Sequence, residues 1–217
     1  MYSILNMRSV EDLTTRARIR DAAVLRFAID GFRAPVRAVA ADASVSPGLV
    51  IHHFGSKAGL RQECDDYVLT LIRDAKSDGI DRAATGGSFL EVFASIDQYG
   101  PLVGYVLRSL QDGGAAGQAF VEHMIEDARS YIGEAVVAGV ARPSRDEDAR
   151  VRYLVLSVLG ALLLSVALDP PADPADLTAA VRRFVAESYL PMLELFTEGF
   201  LSTEIVLDDF LARPDPS

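Results

Sequence analysis

The apolar positions of this chain recur every three or four residues, and turn residues separate the blocks. This spacing places apolar side chains on one face of a helix, whereas the period-two alternation of strands is nearly missing. Gly31, Gly86-Gly87, Gly113-Gly114 and Pro170-Pro171 fall between blocks, where such residues end helices. The pattern predicts an all-α protein, with helices near residues 10–31, 35–43, 47–53, 56–78, 88–99, 101–112, 116–140, 145–168, 174–198 and 202–212.

Two short helices joined by a tight turn are predicted within residues 35–54. Ser46 is placed to cap the second of them, with Pro47 at its first position. The apolar residues that meet between the two are Val36, Val39, Ala40, Ala43, Val45, Val50 and Phe54. The long helix before them supplies the third side of a core through Ile19, Ala22, Ala23 and Phe27. The pattern alone leaves open a DNA-binding helix-turn-helix and an ordinary helical corner.

Charge is distributed unevenly along the chain, whose net charge is −10. Residues 1–62, here called the head, carry nine Lys or Arg against five Asp or Glu, a net charge of +4. The remaining 155 residues carry 12 against 26, a net charge of −14. A basic head on an acidic remainder fits nucleic-acid binding, because neutralising phosphates drives that binding, and chance is the alternative for the asymmetry alone.

Three segments carry a family resemblance: RARIRDAAVLRFAIDGF, VRAVAADASVS and PGLVIHHFGSKAGL. Over about residues 14–62 they resemble the N-terminal domain of the TetR family of bacterial repressors. The resemblance implies a three-helix helix-turn-helix domain (1–58), followed by a helical-bundle domain for ligand binding and dimerisation (59–217). The implied function is a ligand-responsive regulator, most simply a repressor. Such a protein binds palindromic double-stranded operator DNA as a homodimer and is released by a small, largely apolar inducer.

The predicted DNA-binding residues lie on the two short helices and at the start of the fourth helix. They are Arg37, Ser46, Pro47, Gly48, Leu49, Ile51, His52, His53 and Lys57. Lys57 matches a family lysine that meets a phosphate. Arg37 stands at the exposed start of the second helix, where it is either a further backbone contact or a solvated surface charge.

Three departures from the family pattern affect this site. Ala34-Pro35 replaces the threonines before the second helix, so one phosphate contact is expected to be lost. Ser44 replaces the usual turn glycine, at a cost of up to roughly 1 kcal/mol if its φ is positive. Ile51 replaces a phosphate-binding tyrosine, and its apolar side chain could meet a thymine methyl instead. We expect the turn to form and DNA binding to persist.

The C-terminal part carries no ligand-specific motif, but its apolar faces predict a pocket with a few polar tips. The candidate ligand-binding residues are Phe89, Phe93, Ile96, Leu102, Tyr105, Ser109, Phe120, His123, Met124 and Tyr131. Ordinary core packing is the alternative for each of them. The eighth predicted helix is apolar nearly all round and therefore needs cover on more than one side. The candidate dimer-interface residues are Leu156, Leu159, Gly160, Leu163, Phe184, Tyr189, Met192 and Phe196.

Other classes of protein are less well supported. Neither a metal site nor a cofactor is predicted, because the histidines and Cys64 show no ligand spacing. Glu91, Glu122, His123 and Glu126 are scattered acid–base candidates without a catalytic constellation, so we do not expect an enzyme. A small-molecule-binding dimer that has lost DNA binding remains an alternative. The longest uncharged run, 153–168, is shorter than the roughly 20 residues that span a bilayer, so we expect a cytoplasmic protein without membrane partners.

Overall fold

The computed structural model describes residues 10–85, 100–173 and 177–212, and within these ranges the chain forms nine α-helices and no strand. The helices are α1 (Val10–Asp30), α2 (Val36–Asp42), α3 (Pro47–Phe54), α4 (Lys57–Ala84), α5 (Gly100–Asp112), α6 (Gly114–Val137), α7 (Glu147–Leu168), α8 (Leu177–Thr197) and α9 (Ile205–Leu211). The all-α prediction is confirmed. The helix expected at 88–99 lies outside the described residues.

Most helix ends agree with the sequence pattern to within about three residues, but α4 is longer than predicted. It runs to Ala84, six residues past the expected end at residue 78. The prediction stopped before Gly79, yet an isolated glycine costs a helix only about 1 kcal/mol relative to alanine. The predicted end at residue 78 was therefore wrong because α4 continues through Gly79.

The first four helices enclose the predicted apolar core. Phe27 and Ile19 of α1 are fully buried, and so are Val39 of α2 and Val50 of α3. Ala40 is only 1% exposed, which fits a small residue where α2 and α3 cross. Leu60 and Cys64 extend this core along α4. The packing predicted between the two short helices is confirmed.

Ser44 ends α2 in a left-handed backbone conformation. Its φ is +54°, and no other non-glycine residue in the described ranges has a positive φ. The Val45 N–H donates to the Ala40 carbonyl at 2.9 Å, and the Ser44 N–H donates to the Ala41 carbonyl at 3.0 Å. These two bonds form a Schellman motif, so the turn is made without the usual glycine.

Replacing Ser44 with glycine is expected to raise the free energy of unfolding by up to about 1 kcal/mol, because glycine adopts positive φ without a Cβ clash. Urea unfolding at a fixed protein concentration measures the change. Ser44→Ala is the comparison, since alanine keeps the Cβ and should bring no such gain. Equal stabilisation by both substitutions would contradict the assignment of strain to this turn.

Helices α5, α6 and α7 continue the core beyond the head. Tyr105 of α5, Phe120 of α6 and Val151 of α7 are each at most 2% exposed and belong to one apolar cluster with Phe27. Helix α5 packs extensively against α1, and α6 packs against both α4 and α7. These helices, with the start of α8, complete a compact unit that ends at Val181.

Residues from Arg182 onward form a second unit that contains most of α8 and all of α9. Pro191 lies inside α8, where its missing N–H leaves the Glu187 carbonyl without its usual helical donor. Every described residue from Glu194 onward is exposed, although many of them are apolar. The exposed large apolar residues after α8 are Phe200, Leu201, Ile205, Val206, Leu207, Phe210 and Leu211.

Candidate nucleic-acid interface

Helix α3 is fixed at its N-terminus by its own sequence. The Ser46 hydroxyl oxygen accepts a hydrogen bond from the Leu49 N–H at 3.2 Å, and Pro47 occupies the first helical position. The cap satisfies one backbone donor, and proline has no N–H to leave unpaired there. The predicted cap is confirmed, and it sets the direction in which this eight-residue helix leaves the turn.

The other end of α3 is held by contacts that the sequence did not reveal. Arg16 of α1 donates to the His53 carbonyl and to the Glu63 carboxylate, and its guanidinium lies 4.5 Å from the centre of the Phe54 ring. A cation at a helix C-terminus satisfies an orphan carbonyl and complements the helix dipole. Arg16 therefore ties α1, α3 and α4 together.

Gly59 brings α4 against the end of α3. A Cβ built on Gly59 would lie 2.2 Å from the Phe54 carbonyl oxygen, so the main chain leaves no room for a side chain there. The Ser56 hydroxyl oxygen accepts from the Gly59 N–H at 3.0 Å and caps α4. This close approach places Lys57, in the first turn of α4, directly after the end of α3.

The outward surface of α3 carries most of the predicted DNA-binding residues. Pro47, Gly48 and His52 are exposed, and Ile51 is 42% exposed despite its apolar side chain. Leu49 and His53 are half-buried. The exposed set consists of small, apolar and imidazole groups on one short helix, a chemistry suited to base edges and thymine methyls in a major groove. The individual DNA contacts remain predictions.

The cations of the head that the structure describes fall into two groups. Arg16, Arg20, Arg26 and Arg61 form ion pairs with carboxylates of the same chain. Within the described part of the chain, no such ion pair engages Arg18, Arg33, Arg37 and Lys57. Arg37 is exposed and Lys57 is half-buried. Arg18 and Arg33 are exposed cations to which the sequence pattern gave no role. The second group is free to meet phosphates.

Arg26, a member of the first group, joins two helices of the head through its ion pairs. Its guanidinium donates to both carboxylate oxygens of Asp42 at 2.7 Å, which joins α1 to the end of α2. This hydrogen-bonded pairing holds the pKa of Asp42 below its ordinary value. Arg26 also donates to Asp30 at 2.8 Å, so its charge is already matched within the protein.

Two of the candidate ligand-binding residues are engaged inside the core. The Tyr105 hydroxyl donates to the Asp65 carboxylate at 2.6 Å, and its ring packs edge-on to Phe32 with 5.3 Å between centroids. Burial raises the pKa of Asp65 and that of Tyr105. The Ser109 hydroxyl donates to the Tyr105 carbonyl at 3.0 Å. Both polar tips therefore have partners within the chain.

The remaining candidate ligand-binding residues are spread between the core and the surface. Phe120 is 2% exposed, and His123 is exposed. Leu102, Met124 and Tyr131 are half-buried and pack against the core. Phe89, Phe93 and Ile96 lie outside the described residues. The predicted pocket remains a prediction.

The candidate dimer-interface residues differ in exposure. Leu159 is 7% exposed and packs in the core of its own chain, whereas Leu156 and Phe196 are 45% and 56% exposed. Gly160, Leu163, Phe184, Tyr189 and Met192 are half-buried. In the most apolar 18-residue stretch of α7, only 22% of the residues are buried. By length and composition alone, this helix could cross a membrane. The apolar side chains that α7 exposes are not covered by the rest of the described chain.

Cys64 is fully buried where α4 packs on α1. Its thiol contacts the Arg20 carbonyl at 3.8 Å, and burial raises the pKa of the thiol far above its ordinary value. A thiol with a raised pKa has almost no reactive thiolate at neutral pH. Among the described residues, no group of three or more His, Cys, Asp or Glu is placed to hold a metal ion.

We expect Cys64 to react with iodoacetamide at least about 100-fold more slowly in the native protein than in urea, because burial blocks access and suppresses ionisation. Its native rate should not rise between about pH 7 and pH 9, the range in which an ordinary thiol ionises. Mass spectrometry of the intact protein follows the modification. Rapid labelling of folded protein would contradict a purely structural role and indicate a redox-accessible thiol.

The geometry defines a class of protein. A three-helix core presents one short helix, anchored at both ends, beside cations that no carboxylate of the described chain neutralises. This arrangement is that of a helix-turn-helix DNA-binding protein.

Comparison with known proteins identifies the family. Residues 19–64 match the model of bacterial regulatory proteins of the tetR family, and residues 97–202 match a tetracyclin repressor-like C-terminal domain. The chain is 43% identical over 207 residues to the HTH-type transcriptional regulatory protein RaaS of Mycobacterium tuberculosis, a match that covers 95% of this chain and 96% of that protein. The chain belongs to the TetR family of transcriptional regulators.

Solved structures share the fold at low sequence identity. A TetR transcriptional regulator from Chloroflexus aurantiacus aligns with a TM-score of 0.54 at 20% identity, over 82% of this chain and 98% of that one. SmeT, the repressor of a Stenotrophomonas maltophilia multidrug efflux pump, aligns with a TM-score of 0.53 at 20% identity, over 79% and 89% of the two chains. These likenesses concern the fold alone.

Proposed function

We propose that this TetR-family regulator is a cytoplasmic repressor that binds a palindromic operator as a homodimer and is released by a small, largely apolar inducer. The observation that carries the proposal is the contrast between the two groups of cations in the head. Arg37 and Lys57 lie on the helices that flank α3 and have no ion-pair partner in the described part of the chain. Arg16, Arg20, Arg26 and Arg61 of the head are instead paired with carboxylates of the same chain.

The exposed surface of α3 supports sequence-specific reading. Ile51 and His52 are the exposed side chains of its middle turn, where an apolar group and an imidazole could contact a thymine methyl and a base edge. The anchors at Ser46 and Arg16 hold this helix in one orientation, which specific readout requires. The left-handed turn at Ser44 forms despite the missing glycine, so this departure does not by itself remove the motif.

The exposed apolar side of α7 supports a dimer as the functional unit. Its core-facing residues, Val151 and Val155, repeat every four positions, whereas Leu156 and Leu164 lie off that row and are 45% and 60% exposed. A second copy of the chain would cover this side. Two-fold symmetry then places two copies of α3 on half-sites about 34–36 Å apart, or a multiple of that spacing.

Selection of bound sequences from a random DNA pool tests the proposal. Enrichment of a palindrome by the purified protein supports a repressor that binds as a dimer. The alternative function, a small-molecule-binding dimer without specific DNA binding, predicts no enrichment from folded, dimeric protein at low salt. Transcription from a reporter that carries the selected site then distinguishes repression from activation.

Lys57→Ala is expected to weaken operator binding by about three- to tenfold and to lower the salt dependence by about one released ion, because one phosphate contact is lost. Lys76→Ala is a matched control, since Lys57 and Lys76 are the two lysines of the chain and both lie on α4. Lys76 is roughly 28 Å further along the helix, at 1.5 Å per residue. Fluorescence anisotropy over a salt series measures both variants. Equal effects of the two substitutions would contradict a specific role for Lys57.

A further inference from the structure

A cleft of about 230 Å³ lies between α5 and the end of α7, and none of the predicted ligand-binding residues that the structure describes lines it. Leu107, Val166, Ala167 and Pro170 give it apolar walls. Arg108 and Gln111 provide its polar groups, and among the described residues no carboxylate side chain lines it. Its volume is below the roughly 300 Å³ at which drug-sized pockets begin, so a smaller molecule fits it.

Arg108 also reaches the head from this cleft. Its Nε–H donates to the Ala28 carbonyl at 3.3 Å, and its Nη2 donates to the Ile29 carbonyl at 2.7 Å. These carbonyls belong to the last turn of α1, where a cation satisfies orphan acceptors and complements the helix dipole. A Cβ at Gly31 would lie 3.7 Å from the Arg108 Cδ, an ordinary van der Waals distance, so the φ of +72° favours glycine there and the approach of Arg108 does not.

The donors of Arg108 indicate what the cleft would bind. A guanidinium has five N–H groups. In Arg108, two of them donate to the Ala28 and Ile29 carbonyls, and a third donates from Nη1 to the Gln111 side-chain oxygen at 3.2 Å. Two N–H groups remain, and a carboxylate is the organic anion whose geometry matches them. The apolar walls favour a ring or a short branched chain on that carboxylate.

We propose that this cleft binds a small organic carboxylate with an apolar body, and that Arg108 transmits its occupancy to the head. The carboxylate first engages the two remaining N–H groups, and the guanidinium, drawn further into the cleft by this ion pair, then gives up the carbonyls at the end of α1. Helix α1 is held at this end by Arg108 and at its other end holds α3 through Arg16. Loss of the first contact therefore loosens the support of the DNA-reading helix. The binding step stands by itself, whereas the transmission step rests on the proposed function.

Titration calorimetry of the full chain with benzoate and 3-methylbutanoate tests the binding step. At least one acid should bind saturably, and benzamide, the uncharged isostere of benzoate, should bind at least about tenfold more weakly than benzoate. Arg108→Gln should weaken acid binding by at least about tenfold, whereas Arg145→Gln, at an exposed arginine outside the cleft, should not. Absence of binding by both acids, or equal binding by Arg108→Gln, would overturn the site.

A second variant keeps the test independent of Arg108's structural role. Ala167→Phe fills the cleft from its exposed wall and leaves Arg108 in place. This variant should lose acid binding and keep operator affinity. Retained acid binding would place the ligand elsewhere and overturn the proposal.

The transmission step is measured on a selected operator fragment. A saturating acid should lower operator affinity of the unmodified protein by at least about tenfold and leave that of Ala167→Phe unchanged. Acid binding without any change in operator affinity would overturn transmission but leave the site standing. A chain that binds the acid and no DNA would instead contradict the proposed function, so the two failures are distinguishable.

Discussion

Replacing Phe27 with alanine is expected to lower the free energy of unfolding by about 3–5 kcal/mol, the largest stability change we expect from one truncation in the head. Phe27 is fully buried on α1, and the centroid of its ring lies 5.3 Å from that of the Phe32 ring. Truncation removes the apolar contact and leaves a cavity in a core that α2 and α3 cannot close, because their own contacts are fixed by Arg26 and Arg16. Urea unfolding at one protein concentration measures the loss.

Leu25→Ala is the matched control for Phe27→Ala. Leu25 lies two residues away on the same helix and is 49% exposed. Its truncation should cost less than about 1 kcal/mol, because much of the removed surface already faces water. A similar loss for both variants would mean that helix propensity, and not core packing, dominates the stability of α1.

Leu156→Glu is expected to convert the protein to a monomer and to weaken operator binding by at least about 100-fold. The substitution places a charge on the apolar side of α7 that the proposed dimer would bury, and an unpaired buried charge is costly. A monomer also loses the gain of binding two linked half-sites, which is commonly about 10²–10⁴ in affinity. Sedimentation equilibrium measures the oligomeric state, and anisotropy measures operator binding.

Val137→Glu controls for the introduced charge. Val137 ends α6 and is 91% exposed, so the glutamate there should stay in water and leave assembly unchanged. A Leu156→Glu protein that remains dimeric while folded would show that the dimer uses a surface other than this side of α7. Circular dichroism establishes that both variants keep their helices.

These predictions depend on features that the sequence reveals to different degrees. The core position of Phe27 follows from helical periodicity, because residues three and four apart share a face whatever the tertiary contacts. The exposure of Leu156 does not follow from it, since α7 is apolar nearly all round and periodicity gives no preferred face. Packing against α6 decides that Val155 is buried and Leu156 is not.

The candidate interface shows the same division. Ser46 and Pro47 could be assigned to the start of α3 because capping is a local interaction that spans three residues. The Arg16 contact to the His53 carbonyl joins residues 37 positions apart, and Arg108 reaches α1 across about 80 positions. No short-range signal distinguishes these arginines from exposed ones such as Arg37.

The sequence by itself determined most of the helices, the cap of α3, the three-helix core and the family, because these depend on periodicity, on local hydrogen bonds and on a motif kept in order. Tertiary structure decided which cations of the head are neutralised, that Tyr105 and Ser109 have partners inside the core, and that Arg108 lines a cleft while it caps α1. The physical reason is distance along the chain. Such contacts exist only when helices far apart in sequence pack together and bring a donor to an unpaired carbonyl or carboxylate.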